Sequence, residues 1–261
     1  MTKILGLSGR KQSGKNTVAS FLHGIEMVSA GIISDFRFSN EGQLIVPTQV
    51  IGGDGKETIE YGAFDVDRKD ADFFDYMSIN VWPFVKLYSF ADMLKTNICM
   101  QVLGLSYEQC YGKDKDKNTK THLKWQDMPT DTGSSGKMTA REVMQYVGTD
   151  LFRVMDTDIW VDATLRQIEA EGSALAIVCD CRFPNEVRKI KKAGGKVIRM
   201  NRNNHGDDNH ASETMLDKEN FDWKEFDAVV DNQNMDVRGA NEEVCQLLAK
   251  WGFVSMEYER T

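Results

Sequence analysis

A glycine-rich turn near the start of the chain constrains the fold more than any other stretch of the sequence. The apolar run Ile4–Leu7 leads directly into residues 9–17, which read Gly-Arg-Lys-Gln-Ser-Gly-Lys-Asn-Thr. This spacing lets backbone N–H groups and a helix N-terminus wrap a polyphosphate, while Lys15 reaches its β- and γ-phosphates. The sequence therefore predicts a strand, a phosphate-binding loop and a helix. Apolar residues of that helix recur at helical spacing, at Val18, Ala19, Leu22 and Ile25.

The loop departs from the strict pattern at one position. Asn16 stands where a serine or threonine normally binds magnesium, and the hydroxyl comes one residue later, at Thr17. A preceding strand and a following helix favour a nucleotide site over the alternative, a strand-to-helix turn that binds no ligand. The helix is expected to end near Gly24 or within the apolar turn that follows it.

Composition narrows the class of protein. The chain has 261 residues and is 41% hydrophobic, which suits one large domain with a sizeable core. Its 32 basic and 40 acidic residues give a net charge of −8, which argues against nucleic acid as a partner and favours small molecules. No apolar stretch approaches the roughly 20 residues that span a bilayer, and no secretion signal is evident. Five scattered cysteines fit a reducing, cytoplasmic compartment.

Strand and helix patterns alternate along most of the chain. About five apolar runs separated by helices imply an α/β fold with a mostly parallel sheet and right-handed crossovers. The predicted strands are residues 4–7, 84–89, 174–180, 196–200 and 227–232.

Three segments interrupt this alternation within a single predicted domain, 1–261. Residues 31–81 are interpreted as a β-rich insertion, with two short strands around an Asn-Glu-Gly turn. Residues 113–137, rich in mixed charge, Gly and Ser, predict a mobile loop. Residues 201–222 predict a lid-like loop. Its two histidines, His205 and His210, could suggest a metal site, but their spacing of five without a third clear ligand favours a solvated loop or a phosphate-covering lid.

Two further helices are predicted in the middle of the chain. One begins near Phe90, places Leu94, Ile98 and Val102 on one face, and has Gly104 at its end. The other begins with the capping-box sequence of residues 139–142 and ends at Gly148.

Charged residues near the ends of the predicted strands are candidates for the chemistry. Asp180 closes the long apolar strand, where a Walker-B aspartate holds magnesium directly or through water. Arg182 could pair with Asp180, bind a phosphate, or both, because its planar guanidinium suits phosphate oxygens. Lys95, early in its helix, could point into the crevice at the carboxyl ends of the strands or lie on the surface.

Taken together, these motifs resemble the deoxynucleoside monophosphate kinase family of bacteriophages, which are P-loop kinases. The resemblance covers most of the chain outside residues 31–80 and 113–137. A Lys-x-Thr ending of the loop is also what monophosphate kinases show. The matching stretches, in the family's order, are residues 9–17, 90–95, 141–150, 158–160, 180–186, 210–213 and 231–232.

The resemblance implies a three-layer P-loop NTPase fold and transfer of the γ-phosphoryl group of ATP to a deoxynucleoside monophosphate, with magnesium. It implies Lys15, Arg182 and Arg141 as catalytic residues, and Thr17 and Asp180 for magnesium. The residues expected at ATP are Lys11, Ser13, Gly14, Lys15, Asn16, Thr17 and Arg202. Those expected at the acceptor are Lys95, Arg141, Thr149, Trp160, Asp180, Arg182 and Glu186.

Two other functions stay open at this point. One is another P-loop small-molecule kinase, acting on dephospho-coenzyme A or a nucleoside. The other is a nucleotide-binding interaction protein that transfers no phosphoryl group. The sequence determines neither the accepted bases nor the oligomeric state, for which a homodimer is one alternative.

Overall fold

The protein is described by a computed structural model. The chain divides into two compact units, one of Met1–Tyr88 with Gln167–Thr261 and one of Ser89–Arg166. That they belong to a single kinase domain stays a prediction. The residues that the structure describes are 2–39, 41–51, 53, 55–68, 70–129, 133–202 and 214–255.

Strands and helices alternate through much of the chain. The strands are β1 (Lys3–Ser8), β2 (Arg37–Phe38), β3 (Leu44–Ile51), β4 (Glu57–Ala63), β5 (Val85–Tyr88), β6 (Lys120–Lys124), β7 (Lys137–Thr139), β8 (Leu175–Cys181), β9 (Lys196–Met200) and β10 (Ala228–Val230). The α-helices are α1 (Lys15–Ser29), α2 (Ala71–Asn80), α3 (Phe90–Asp92), α4 (Tyr107–Tyr111), α5 (Asp114–Lys117), α6 (Ala140–Gln145), α7 (Arg153–Met155), α8 (Ile159–Glu171), α9 (Pro184–Lys192) and α10 (Val237–Lys250). Two π-helices are π1 (Met93–Val102) and π2 (Tyr146–Phe152), and two 3-10 turns are Trp125–Asp127 and Trp223–Glu225.

A parallel sheet of five strands forms the centre of the first unit, in the order β10-β9-β1-β8-β5. All five correspond to strands predicted from the sequence. The strand that feeds the phosphate loop, β1, lies in the middle. Its last residue, Ser8, is in register with Cys181 at the end of β8.

Helices cover both faces of this sheet. Leu5 and Leu7 of β1 are fully buried in one cluster with Val244 of α10 and residues of α1. Gly6 points to the opposite face, because successive residues of a strand alternate. A Cβ on Gly6 would lie 2.8 Å from the Cδ1 of Ile190 in α9. The predicted three-layer α/β arrangement is therefore present, and it is consistent with a P-loop kinase fold.

The insertion contains a small antiparallel sheet in the order β2-β3-β4, as the β-rich pattern predicts. The insertion packs on α1, and one of its contacts with that helix is especially close. Gly24 lies inside α1 and not at its end, and a Cβ there would meet three ring atoms of Phe36 at 2.7 to 2.8 Å. The glycine therefore allows the ring of Phe36 to rest on the helix backbone.

The second unit corrects two predictions about helices. Residues 93–102 form π1, whose hydrogen bonds span five residues, so the predicted row of apolar side chains drifts off one face. Val102 is 71% exposed, while Cys99 is fully buried. The helix that begins at the predicted capping box does not end at Gly148 either, because it continues as π2. A Cβ on Gly148 would lie 2.7 Å from Cδ2 of Leu94, so this glycine serves close packing.

The segment 113–137, predicted to be a mobile loop, contains regular structure where the structure describes it. It includes α5, β6 and the turn Trp125–Asp127, and β6 pairs with β7. The sequence signal is weak because only Thr121 and Leu123 of β6 are not exposed. Mobility of this segment stays a prediction.

Half of the predicted lid-like loop, 201–222, lies outside the described residues, which exclude 203–213. His205 and His210 are among the excluded residues. In the described part of this loop, the carbonyl of Leu216 accepts a hydrogen bond at 2.9 Å from the indole of Trp223, which follows the loop. Within the described residues, no helix has the length and apolar character needed to cross a membrane.

Candidate active site

The phosphate loop joins β1 to α1 with a backbone that needs its glycines. Gly14 has φ 91° and is the N-cap residue of α1. A side chain on Gly9 would collide with Ser13, with a Cβ to Oγ distance of 2.3 Å. Gln12 also takes a positive φ, 62°, which is uncommon for a residue with a side chain. The loop thus forms a tight turn that ends at the N-terminus of a 15-residue helix, the arrangement that favours anions.

Lys15 folds back over the loop. Its Nζ donates to the carbonyls of Gly9 and Arg10, each at 2.7 Å, and lies 3.3 Å from Oγ of Ser13. The side chain is 8% exposed. The ammonium group is therefore held at the loop by neutral acceptors, and no carboxylate appears among these three contacts.

Asn232, in the turn after β10, fixes the loop from outside. Its Nδ2 donates to the carbonyl of Ser13 at 3.0 Å. The contact joins the carboxyl end of β10 to the loop that follows β1. A residue from the predicted last strand, 227–232, therefore helps to shape the phosphate loop.

The other loop candidates differ in exposure. Ser13 is fully buried, whereas Lys11 and Asn16 are exposed. Thr17 is half-buried, and the insertion approaches it, because a Cβ on Gly42 would lie 3.3 Å from its Oγ1.

Asp180 lies at the carboxyl end of β8, next to β1, as a Walker-B position requires. It is half-buried, and so is Arg182. The register of Ser8 with Cys181 brings this strand end beside the start of the phosphate loop. Burial raises the pKa of the Cys181 thiol well above its usual value, and the charges of Glu186 and Asp180 act in the same direction.

Glu186 is almost fully buried at the start of α9. Its Oε2 accepts from the backbone N–H groups of Arg182 at 2.7 Å and of Phe183 at 2.9 Å. The carboxylate thereby caps the helix that follows Asp180. This contact gives Glu186 a structural function, while its predicted place near the nucleoside stays a prediction.

Arg202 follows β9 and lies beside the loop. Its guanidinium donates to the carbonyls of Asn232 at 3.0 Å and of Met235 at 2.6 Å. Together with Gly14 and Thr17, it lines a cleft of about 30 Å³. The predicted ATP-binding arginine is thus placed next to the phosphate loop.

An ion-pair network, which the sequence pattern does not predict, ties the loop to the segment after residue 213. Arg10 contacts Asp217 at 2.5 Å, and Arg199 of β9 contacts the same carboxylate at 2.9 Å. Arg199 also donates to Oγ of Ser8 at 3.2 Å. Burial lowers the pKa of Arg199 from its usual value, and Asp217 opposes that effect. Arg10 and Asp217 are 207 residues apart, so no local spacing signals their contact.

The second unit carries Lys95 and Arg141. Lys95 lies on π1, with its Nζ 4.8 Å from the ring centre of Tyr111. The hydroxyl of Tyr111 donates to Asp92 at 2.8 Å. Arg141, in the first turn of α6, pairs with Asp114 at 2.8 Å and is partly exposed. Both side chains are partly exposed.

The remaining two candidates lie in the same unit. Thr149 is exposed on π2. Trp160 is buried, packs against Phe152 with ring centres 5.2 Å apart, and donates from Nε1 to the carbonyl of Gly148 at 3.0 Å. Its predicted contact with the nucleoside stays a prediction, since these contacts describe a packed indole.

The predicted residues thus fall into two groups. The first unit brings Lys15, Thr17 and Arg202 to the carboxyl edge of the central sheet, with Asp180 and Arg182 at the end of the adjacent strand. The second unit holds the acceptor candidates Lys95, Arg141, Thr149 and Trp160. Among the described residues, no three His, Cys, Asp or Glu side chains are grouped so that they could hold a metal ion by themselves.

Two comparisons with known proteins bear on this arrangement. The family model described as deoxynucleotide monophosphate kinase matches residues 56–236, more than half of the chain. A protein of Acanthamoeba polyphaga mimivirus, assigned provisionally as a deoxynucleotide monophosphate kinase, is 33% identical over 144 residues, which cover 49% of this chain and 67% of that protein. The family match begins after the phosphate loop, so the match and the loop geometry are independent observations.

Proposed function

Because this chain belongs to the deoxynucleotide monophosphate kinase family, we propose that it transfers the γ-phosphoryl group of ATP to a deoxynucleoside 5′-monophosphate. The products are the deoxynucleoside diphosphate and ADP. The observation that carries this proposal is the phosphate loop, with Lys15 held at its centre by the carbonyls of Gly9 and Arg10. A bacteriophage origin of the chain stays a prediction.

The loop and its surroundings supply the ATP-binding half of the proposed site. Lys11, Ser13, Gly14, Lys15, Asn16 and Thr17 bind the phosphates, and Arg202 lies over the nucleotide. The ammonium group of Lys15 exchanges carbonyl acceptors for phosphate oxygens, a change that strengthens its hydrogen bonds because the new acceptors are charged. The loop backbone and the helix N-terminus add N–H donors to the same phosphates.

The acceptor needs positioning more than activation. A nucleoside monophosphate is ionised near neutral pH, so the reaction needs no strong general base, and catalysis rests on alignment and charge neutralisation. Arg182 and Arg141 serve as catalytic cations, and Lys95 binds the acceptor phosphate. Thr149, Trp160 and Glu186 are assigned to the nucleoside, with Asp180 close to the acceptor phosphate.

Thr17 and Asp180 fit magnesium in their donor chemistry. Hydroxyl and carboxylate oxygens are the protein ligands that this ion prefers, alongside phosphate and water. We assign Thr17 and Asp180 to the ion, Asp180 directly or through water. Bound magnesium would neutralise charge on the phosphates. Of its two proposed oxygen ligands, Thr17 lies in the first turn of α1 and Asp180 lies at the end of β8.

Two other functions predict different products. A dephospho-coenzyme A or nucleoside kinase would use a hydroxyl acceptor, and an interaction protein would bind ATP without acceptor-dependent ADP release. Membership of the family favours the monophosphate acceptor. A coupled ADP-release assay should separate the three, run with deoxynucleoside monophosphates, ribonucleoside monophosphates, nucleosides and dephospho-coenzyme A, with and without magnesium.

We expect ADP only when a deoxynucleoside monophosphate and magnesium are both present. If dephospho-coenzyme A or a nucleoside gave as much ADP release as a deoxynucleoside monophosphate, the proposed acceptor would be wrong. Release that is independent of every acceptor would overturn the kinase proposal.

A further inference from the structure

A large groove lies in the first unit between α1 and α10. Its volume is about 920 Å³, within the range of pockets that bind small organic ligands, roughly 300 to 1,000 Å³. One wall comes from α1 and from residues 36–39 of the insertion. The facing wall comes from residues 235–249, which include most of α10. Of the residues that line this groove, only Arg202 has been assigned to a ligand above.

The groove adjoins a small cleft at the phosphate loop. The 30 Å³ cleft bounded by Gly14 and Thr17 shares four lining residues with it, namely Arg202, Asp236, Val237 and Asn241. A molecule whose phosphates lie on the loop would therefore reach the groove with the part attached to them. In a nucleoside triphosphate, that part is the sugar and the base.

The wall on the insertion side is aromatic. Phe38 of β2 is half-buried, and its ring centre lies 5.9 Å from that of Phe21 and 6.1 Å from that of Phe36. Phe21 and Phe36 are buried and hold Phe38 in place. A partly exposed ring fixed by two buried rings offers a flat surface. Stacking of a base on such a ring is favourable whatever the identity of the base.

The facing wall carries a buried amide oxygen that lacks a hydrogen-bond partner within the described part of the chain. Asn241 is 2% exposed, and its Oδ1 has no hydrogen-bond partner within the described part of the chain. The cleft holds a second such atom, Oδ1 of Asn232, whose Nδ2 already donates to Ser13. Leaving a buried acceptor unpaired is costly. A ligand that supplies an N–H group to Asn241 would satisfy it.

We propose that this groove binds the base and sugar of the phosphoryl donor, and that Asn241 determines base specificity by accepting a hydrogen bond from the exocyclic amine of adenine. Asparagine is a side chain whose amide matches the amine and adjacent ring nitrogen of adenine. The insertion then has a function, since Phe38 forms the wall opposite Asn241. The inference rests on the proposed function, because it takes the loop to bind the donor phosphates.

Three probes separate the contributions in an equilibrium binding measurement with magnesium. ATP carries the amine, inosine triphosphate carries an oxygen in its place, and inorganic tripolyphosphate has no base. For the unmodified chain we expect ATP to bind about tenfold more tightly than inosine triphosphate, the cost of one lost hydrogen bond with its acceptor left unpaired. Tripolyphosphate should bind more weakly than either nucleotide.

Two variants identify the residues. Asn241→Leu, which keeps the side-chain size, should bind ATP and inosine triphosphate equally and leave tripolyphosphate binding unchanged. Phe38→Ala, at a half-buried position, should weaken both nucleotides and leave tripolyphosphate unchanged. A thermal melt of each variant shows whether it is folded, and unchanged tripolyphosphate binding shows that its loop is intact.

Each result bears on the inference. Equal binding of ATP and inosine triphosphate by the unmodified chain would overturn the assignment of Asn241. Equal binding of ATP and tripolyphosphate would overturn the groove as the base site. A chain that prefers ATP but phosphorylates no monophosphate would keep this inference and overturn the proposed function. Phosphoryl transfer without base discrimination would do the reverse.

Discussion

Helix α1 and the π-helix π1 start from similar sequence patterns and differ in structure. In α1, apolar residues at positions 18, 22 and 25 are all buried, as helical spacing predicts. In π1, the row at Leu94, Ile98 and Val102 fails at its third member, which is 71% exposed. The two helices belong to different units. Helical periodicity therefore located a buried face in one region and misplaced it in the other.

The difference lies in the backbone. Helix α1 follows a strand and a glycine turn, and its hydrogen bonds keep the four-residue repeat on which the spacing rule depends. In a π-helix each bond spans five residues, so the buried stripe moves by about one residue per turn. Hydrophobic spacing alone does not distinguish the two cases. The effects of mutations in α1 should therefore be predictable from the sequence motif, whereas those in π1 should be predictable only from the observed packing.

The largest effect is expected at the first residue of α1. Lys15→Ala should lower turnover by about 10² to 10³-fold or more, the cost of removing one positioned electrostatic group, while the melting temperature changes little. Steady-state ADP release with a deoxynucleoside monophosphate measures it. Lys11→Ala is the comparison, because Lys11 is also assigned to the ATP phosphates but is exposed, so its loss of turnover should be smaller. Equal losses in the two variants would contradict the special position of Lys15.

Two ion pairs differ in burial. The pair of Arg199 with Asp217, beside the phosphate loop, is buried, whereas the pair of Arg141 with Asp114 in the second unit is exposed. Asp217→Asn leaves the buried guanidinium of Arg199 without its carboxylate, which should cost about 3 kcal/mol of unfolding free energy. Asp114→Asn breaks an ion pair that is mostly in water and should cost less than about 1 kcal/mol. Urea denaturation compares them. Similar costs would show that burial does not govern these pairs.

A smaller effect tests the packing of the insertion on α1. Gly24→Ala should destabilise the protein by about 1 to 3 kcal/mol, because the added methyl overlaps the ring of Phe36. In a Phe36→Ala background, the same change should instead stabilise the helix by up to about 1 kcal/mol, since alanine is the better helix former. Denaturation of the four proteins of this cycle decides the sign. Destabilisation in both backgrounds would rule out the contact with Phe36.

The smallest effect is the sharpest test of π1. Val102→Gln should change the unfolding free energy by no more than about 0.5 kcal/mol, as expected for an exposed position. Ile98→Gln, which replaces a side chain packed on the buried cluster of the second unit, should cost more than about 1 kcal/mol. If both substitutions cost the same, residues 93–102 behave as an α-helix and the π register is wrong.

Much of the fold could be predicted because its signals are local. The five central strands are apolar runs, the loop has a glycine spacing, and the capping box at Thr139 and Glu142 is formed as predicted. The order β10-β9-β1-β8-β5 could not be predicted, since it depends on which runs pair across the sheet. The strand β6 was missed because its polar sequence buries little apolar surface.

The candidate site divides in the same way. The residues of the phosphate loop and Asp180 are found from spacing and from the end of a buried strand. Asp217 and Asn241 are not found in this way. Asp217 depends on a contact with Arg10, which is 207 residues away along the chain. Asn241 depends on the groove that it lines. The placement of residues carried by a motif could therefore be predicted from the sequence, while the placement of residues brought together by tertiary contacts required the structure.

The proposed phosphoryl transfer has one direct test. The protein is incubated with magnesium, ATP labelled at the γ-phosphoryl group and a deoxynucleoside monophosphate, and the labelled products are separated. Our account predicts that the label appears in the deoxynucleoside diphosphate, and that Lys15→Ala nearly abolishes it. Label found only in inorganic phosphate, or retained in ATP with every deoxynucleoside monophosphate, would contradict the assignment of this chain as a deoxynucleoside monophosphate kinase that uses ATP.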